Sequence, residues 1–466
     1  MVFSSLLFLT IFLPLTFFLY YLLPERGKNV LLLIVSLIFY AWGEPTHIFL
    51  MLITTIYTWI FSLRIEKWNM CGQTRNSKFL LVLCLLFSLG TLAYYKYWGF
   101  LLNNLPFLSC IRSTAPTLPI GISFYTFQAL SYVIDVYKGD VKAQKSWVNF
   151  AMYISLFPQL IAGPIVRYAD IETQLNQRTY SINHMYHGIR RFIIGLGKKV
   201  LLANQIGMLW DTISTVENMS LTAAWLGAIA FTLQIYFDFS AYSDMAIGLG
   251  NIFGFNFTEN FRYPYQSTSI TDFWRRWHIT LGTWFREYVY IPLGGNRKGR
   301  ICQIRNLFVV WALTGLWHGA DWQFILWGVY YFFFLAIEKF YLLKKMKKWP
   351  VFFQHLYAIV VIIWGWIIFA CRDLATAGQF YQSMFGIHVP FINDTALFYL
   401  YNNLLLFIIL FIGITELPKR LVHTLRKATS PACFEWLSHT ACFVILFLCV
   451  TFLVADSYNP FLYFRF

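Results

Sequence analysis

Charge is scarce in this chain: only 12% of its 466 residues are Asp, Glu, Lys or Arg, while 58% are hydrophobic. That balance excludes an ordinary soluble globular protein, in which about 25% of residues are charged. Cysteine pairing is lacking as well. The eight cysteines form no C-x-x-C and no metal-ligand spacing, and several lie in apolar runs (Cys84, Cys442, Cys449), so they read as small core residues. There is no H-x-x-x-H, which leaves a zinc site without ligands. The absence of G-x-S-x-G, of a phosphate-binding P-loop and of G-x-G-x-x-G before a helix argues against a serine hydrolase, a phosphate-loop ATPase and a dinucleotide enzyme. The apolar run from Phe3 to Leu23 has no basic n-region and no small-residue cleavage site, so it reads as a retained first helix.

What the chain does have is apolar length. A bilayer core takes about 20 apolar residues per helix, and the runs here supply roughly eleven to thirteen membrane helices. The net charge of +15 would suggest nucleic acid in a soluble protein, but here it lies mainly in short loops, where Lys and Arg set orientation, and no nucleic-acid partner is expected. Arg26 and Lys28 follow the first run, and Arg64, Lys67, Arg75 and Lys78 follow the third, whereas the turn from Gly43 to His47 has no Lys or Arg. The positive-inside rule then puts the N-terminus outside. The later clusters Lys344, Lys345, Lys347, Lys348 and Lys419, Arg420, Arg426, Lys427 agree, and Tyr463 to Phe466 falls outside. No sustained internal repeat is evident.

The middle is irregular. Pro119, Gly121, Pro158, Gly163 and Pro164 interrupt apolar segments, which predicts short or re-entrant helices whose freed backbone is satisfied by protein or water. From Leu221 to Phe255 an apolar segment carries Gln234, Asp238, Ser240, Tyr242, Ser243 and Asp244. Gln234 shares a helix face with Asp238, and Ser240 shares one with Asp244. Two readings stay open for these acids: hydrogen-bonded groups that hold helices together, or the lining of a cavity that contacts substrate.

The stretch from Ser269 to Asp321 gathers the chain's densest chemistry. Ser269 and Asp272 form an [ST]-x-x-[DE] capping box that starts a helix. Continued at 100° per residue, that helix puts Trp274, Trp277, Leu281, Trp284, Phe285 and Tyr288 on one arc and Arg275, Arg276, Thr280, Thr283, Arg286 and Glu287 on the other, with His278 at the border. Rings opposite guanidinium groups describe a helix at an interface or lining a funnel, where Trp274, Arg275, Arg276 and Trp277 would contact substrate. At about 3 kcal/mol for each charge at the bilayer centre, exposing Asp238, Asp244, Arg275 and Arg276 to lipid would cost about 12 kcal/mol, comparable to a whole domain's stability. These groups must pair or face a polar cavity.

Further on, Trp317 and His318 end an apolar segment, Asp321 lies three residues beyond, and Gly315 and Gly319 form a G-x-x-x-G that admits a second helix closely. If Asp321 accepts from one imidazole nitrogen, the other is left as a general base. Each of the two histidines therefore has a catalytic reading and a structural one, as a satisfied group near a helix end. The basic turn containing Asn296, Arg297 and Lys298 is a candidate contact for a donor's phosphates, beside the plainer reading of a cytoplasmic loop.

Five segments together resemble the membrane-bound O-acyltransferase family, in its bacterial alginate and peptidoglycan O-acetyltransferase branch. They are PIGISFYTFQALSYVIDVY from Pro119, FPQLIAGP from Phe157, YFDFSAYSDMAIG from Tyr236, DFWRRWHITLGTWFREYVYIPLGG from Asp272 and LTGLWHG from Leu313. The resemblance implies an all-α polytopic fold, a ring of about 11–13 tilted transmembrane and re-entrant helices around a central tunnel. It divides the single membrane domain 1–466 into N-terminal helices (1–110), a core with the site (111–345) and C-terminal helices (346–466). It implies His318 as the catalytic base and His278 in the same tunnel. It also implies an acyl group, preferably acetyl, taken from a cytoplasmic thioester such as acetyl-CoA, with no tightly bound cofactor, and carried across the bacterial inner membrane to a polysaccharide hydroxyl. Proteins of this kind work with a separate extracytoplasmic transferase of the SGNH type, and such a partner is expected because no soluble domain is evident in this sequence. Alternatives are D-alanyl transfer to teichoic acid, or a transporter or flippase of an acylated metabolite.

Overall fold

A computed structural model of the protein describes residues 1–105, 115–178, 180–455 and 458–459. The C-terminal residues Tyr463 to Phe466, expected outside, lie beyond the described ones. Among the described residues the secondary structure is helical throughout, with no strand. Eight helices are long and apolar enough to cross a membrane: Ile48–Met70, Thr74–Asn104, Ile182–Ile213, Leu221–Ile252, Trp322–Met346, Val351–Ala370, Asp394–Gly413 and Pro431–Ala455. The remaining helical segments among the described residues are shorter or carry more polar residues, so eight stand against the expected eleven to thirteen.

The chain forms two compact units, Met1–Phe192 with Ser243–Thr258, and Ile193–Tyr242 with Glu259–Phe466. Two of their boundaries fall inside the helices Ile182–Gly197 and Leu221–Ile252, and the third lies between Thr258 and Glu259, beyond the end of the latter.

In the first unit Ile122–Lys138 packs against both Ile48–Met70 and Thr74–Asn104, and Glu25–Ala41 packs against Trp147–Ser155. The proline- and glycine-rich middle does break as its sequence predicts. Trp147–Ser155 is followed by the single turn Phe157–Leu160 and then by irregular backbone to Arg167, and residues 151–166 are all buried. Buried backbone outside a helix needs partners within the protein. Ser36 Oγ accepts the Phe157 N–H at 3.1 Å, and the Tyr153 hydroxyl donates to the Val166 carbonyl at 2.9 Å. Asp244 belongs to this unit, where Arg191 donates to its Oδ1 at 2.8 Å.

In the second unit the central helices stand where capping residues start them. Ser269, Asp321, Asp373 and Asn393 each accept a backbone N–H of the turn they open. The helix Gly299–His318 lies along Trp322–Ile337, which in turn packs on Val351–Ala370. The first contact is backbone to backbone. A β-carbon on Gly315 would lie 2.3 Å from the Phe324 carbonyl oxygen, and one on Gly328 would lie 2.4 Å from that of Trp311. The predicted close approach at Gly315 is therefore borne out. Gly319 serves it too, since a β-carbon there would meet the Phe324 ring at 2.1 Å.

Candidate active site

The predicted helix from Ser269 does not continue. Ser269 Oγ caps it by accepting the Asp272 N–H at 3.0 Å, but it ends at Arg276, and a second short helix runs Ile279–Phe285. Between them Trp277 is extended and His278 adopts left-handed backbone, φ 42° and ψ 54°. The single wheel of aromatic and basic arcs is thus corrected. The two half-helices point their side chains independently, and Thr280, placed on the basic arc by the wheel, is buried.

The break is held from outside the segment. Asn260 Oδ1 lies 3.1 Å from His278 Nδ1, 2.9 Å from the Thr280 hydroxyl and 3.3 Å from the Thr280 N–H. The Asn260 carbonyl accepts the Ile279 N–H at 3.0 Å, and Arg262 N–H donates to the Arg276 carbonyl at 2.9 Å. The start of the first half-helix is held by a second group that the sequence reading missed. Glu338, fully buried, accepts the N–H groups of Ile270 and Thr271 at 2.6 and 2.8 Å and the Thr271 hydroxyl at 2.6 Å. A carboxylate at a helix N-terminus is favoured by the helix dipole, which offsets its desolvation. Neither Asn260 nor Glu338 stands in a pattern with the residues it supports, so nothing in the sequence marked them.

His318 is the last residue of its helix, and both histidines are buried. They share a neighbour. Trp317 has its ring 5.9 Å from His278 and 5.0 Å from His318, centroid to centroid. Phe239 closes on His278 at 4.7 Å, while Trp327 and Phe369 close on His318 at 5.0 and 5.3 Å. Trp327 also meets Trp274 at 5.6 Å, and Trp277 stacks with Phe273 and meets Trp366 at 4.9 Å. Trp274, Trp277, Trp317, His278 and His318 are therefore brought into one aromatic cluster, completed by Trp327, Trp366 and Phe369 from two later helices. Burial lowers the His278 imidazole from its ordinary 6.5 to about 3, so it is neutral at pH 7.

The other predicted contacts lie elsewhere. Arg275 is exposed, and Arg276 pairs with Asp272 at 3.0 Å. Asp321 is exposed and its carboxylate accepts the Trp322 N–H at 2.8 Å, so it starts the next helix where the sequence suggested an imidazole partner. The local cause is backbone: Gly319 is extended, and Asp321 becomes the N-cap of Trp322–Ile337. Asn296, Arg297 and Lys298 are exposed on a turn tied down by Asn306, whose Nδ2 donates to the carbonyls of Leu293 and Gly295 at 3.3 and 3.0 Å. Asp238 faces the Lys199 ammonium at 2.6 Å, both side chains almost wholly buried. Lys199 sits in a widened π-type turn, Lys198–Ala203, of the helix that also carries Arg191. Asp238 and Asp244 thus each have a cation facing them, the pairing that the cost of buried charge required, whereas Glu338 is held by backbone N–H groups and a hydroxyl.

Chemically, two buried imidazoles beside one indole, walled by aromatic rings, make a site that excludes water, with His278 in its neutral form. The model of the membrane-bound O-acyltransferase family, MBOAT, matches residues 142–377, which contain both histidines. The chain is 43% identical over 392 residues to a probable alginate O-acetylase AlgI of Pseudomonas aeruginosa, covering 83% of this chain and 75% of that protein. It is 30% identical over 527 residues to a peptidoglycan O-acetyltransferase of Helicobacter pylori, covering 100% and 98%. A teichoic acid D-alanyltransferase of Bacillus subtilis is 27% identical over 321 residues, covering 64% and 79%.

Proposed function

Because the chain belongs to the membrane-bound O-acyltransferase family, we propose that it takes an acetyl group from a cytoplasmic thioester, acetyl-CoA, for O-acetylation of an extracytoplasmic polysaccharide such as alginate or peptidoglycan. The observation that carries this reading is the pair of buried histidines that both meet the Trp317 ring within the matched region. Acetyl is favoured over D-alanyl because the similarity to the O-acetylating relatives is higher and covers more of the chain.

In the proposed reaction the acceptor hydroxyl attacks the thioester carbonyl carbon while His318 takes its proton. The new C–O bond forms, the C–S bond breaks, and the thiolate leaves with that proton. Positioned proton transfer of this kind contributes typically about 10² to 10⁴ in rate. The aromatic wall around His318 supports the reading by keeping water from competing with the acceptor. Trp317, Trp327 and Phe369 supply that wall, and Trp274 and Trp277 pack behind it against Trp327 and Trp366. Arg275 and Arg276, exposed or half-buried, would meet anionic parts of donor or acceptor outside it, and Asn296, Arg297 and Lys298 would meet donor phosphates on the cytoplasmic side. The resemblance to the branch suggests an extracytoplasmic partner transferase of the SGNH type and residence in the bacterial inner membrane.

The test uses the purified chain in vesicles with radiolabelled acetyl-CoA and a hydroxyl acceptor. Label is expected to move to the acceptor with the parent and not with His318→Ala, which still inserts. Transfer persisting in His318→Ala would overturn the assignment of the base. Flux of the labelled compound without chemistry would favour a transporter, and turnover only with a D-alanyl thioester would favour the teichoic acid reading.

A further inference from the structure

We propose that Asn260 is the positioning residue of the site: it fixes the His278 ring so that Nδ1 carries the proton and Nε2 is held out as an acceptor for a substrate hydroxyl. The proposal rests on the acyl-transfer reading of the histidine pair. Its starting point is one main-chain group. The Thr280 N–H can only donate, and it points at the Asn260 side chain at 3.3 Å, so the amide atom facing it is the oxygen. That oxygen can only accept. Its contacts with the Thr280 hydroxyl at 2.9 Å and with His278 Nδ1 at 3.1 Å must then both be donations to it. A neutral imidazole has one ring proton, and with Nδ1 holding it Nε2 keeps its lone pair.

Nε2 of His278 is buried and has no hydrogen-bond partner. An unsatisfied buried acceptor is costly, and native folds retain few of them. A neutral O–H donor reaching Nε2 would satisfy it, and a polyhydroxyl acceptor brings such a group beside the hydroxyl whose proton His318 takes. The backbone supports the same arrangement. His278 occupies left-handed space that a residue with a β-carbon adopts reluctantly, and Asn260 and Arg262 pin the chain on both sides of it through the Ile279 N–H and the Arg276 carbonyl. Asn260 thus sets ring orientation, ring tautomer and local backbone at once.

The experiment compares Asn260→Ala, Asn260→Asp and Thr280→Val, at equal expression and insertion, in the vesicle transfer assay and by solid-state NMR of the protein labelled with nitrogen-enriched histidine. Asn260→Ala is expected to lower kcat by about 10²-fold with KM little changed. Asn260→Asp keeps an accepting oxygen and should restore most of that loss. Thr280→Val should cost only a few-fold, because it leaves the His278 contact in place. The nitrogen signals that disappear in His278→Ala should show a protonated Nδ1 and a bare Nε2 in the parent, and a mixture of tautomers in Asn260→Ala. A single unchanged tautomer in Asn260→Ala, or Asn260→Asp as inactive as Asn260→Ala, would overturn the proposal. So would a loss in Thr280→Val as large as that in Asn260→Ala, which would reduce Asn260 to a brace for the break. Should His278→Ala transfer at the parent rate, the role of His278 in the reaction fails, and the nitrogen spectra alone decide the assignment of Asn260.

Discussion

His278 stands in left-handed backbone, at φ 42°, where an L residue with a full side chain pays on the order of 1 kcal/mol or more. Asn tolerates that region better than most residues, so His278→Asn should keep the fold and remove the imidazole. We expect its melting temperature in detergent to stay near that of the parent while acetyl transfer falls, and a parallel loss of both would mean that the ring is structural. The pH dependence has a definite sign. The folded imidazole is held down to about 3 and the unfolded one titrates near its ordinary 6.5, so in that window the unfolded chain binds the extra proton. Its contribution to stability is complete above about pH 6.5 and is lost as the pH falls towards 3. Melting at about pH 5 against about pH 7.5 should therefore shift less in His278→Gln, which cannot titrate, than in the parent. Trp317 and His318 were legible as a motif, and so was His278. Asn260, eighteen positions before the histidine it holds, was not, because an asparagine in a loop has many ordinary uses and only the fold selects this one.

Among the elements, the pair Gly299–His318 and Trp322–Ile337 is fixed by absence of side chain. Gly315→Ala would drive a β-carbon to 2.3 Å from the Phe324 carbonyl, and backbone there cannot step aside as a flexible side chain can. We expect a loss of about 1–3 kcal/mol or more, read as a fall in melting temperature, with His318 displaced and transfer reduced. A variant as stable as the parent would mean that the helices tolerate separation. The Lys199 and Asp238 pair makes a different claim, since opposite charges buried together stabilise weakly but are costly to separate. Asp238→Asn removes the carboxylate facing Lys199 and should cost about 3–5 kcal/mol, while Lys199→Met with Asp238→Leu should recover much of it. If the double variant is no better than the single one, the acid has a further use, as a contact for substrate. The cap at Ser269 was readable from its [ST]-x-x-[DE] pattern. The end of the Ser269 helix at Arg276 was not, because Trp277, His278 and Ile279 carry no proline or glycine to announce a break.

Across the whole molecule, topology and acceptor are the quantities to measure. Single cysteines introduced beside Lys344 to Lys348 should resist a membrane-impermeant thiol reagent added outside intact cells, and one in the turn from Gly43 to His47 should react. The reverse pattern would invert the orientation. Mass spectrometry of cell-wall and exported polysaccharide, from cells with and without the gene, should find O-acetyl groups missing from one of them in its absence. Apolar runs and basic loops determine a multi-pass helical membrane protein from sequence alone, because in lipid every backbone group must be satisfied within its own helix. The motif segments determine the family. Only tertiary structure decides that the Trp317 ring meets both imidazoles, that Lys199 and Arg191 face Asp238 and Asp244, and that Asn260 and Glu338 hold the broken helix. The physical reason is distance along the chain. Periodicity reaches only a few turns of one helix, whereas each of these contacts joins segments that the sequence keeps apart and that packing alone brings together.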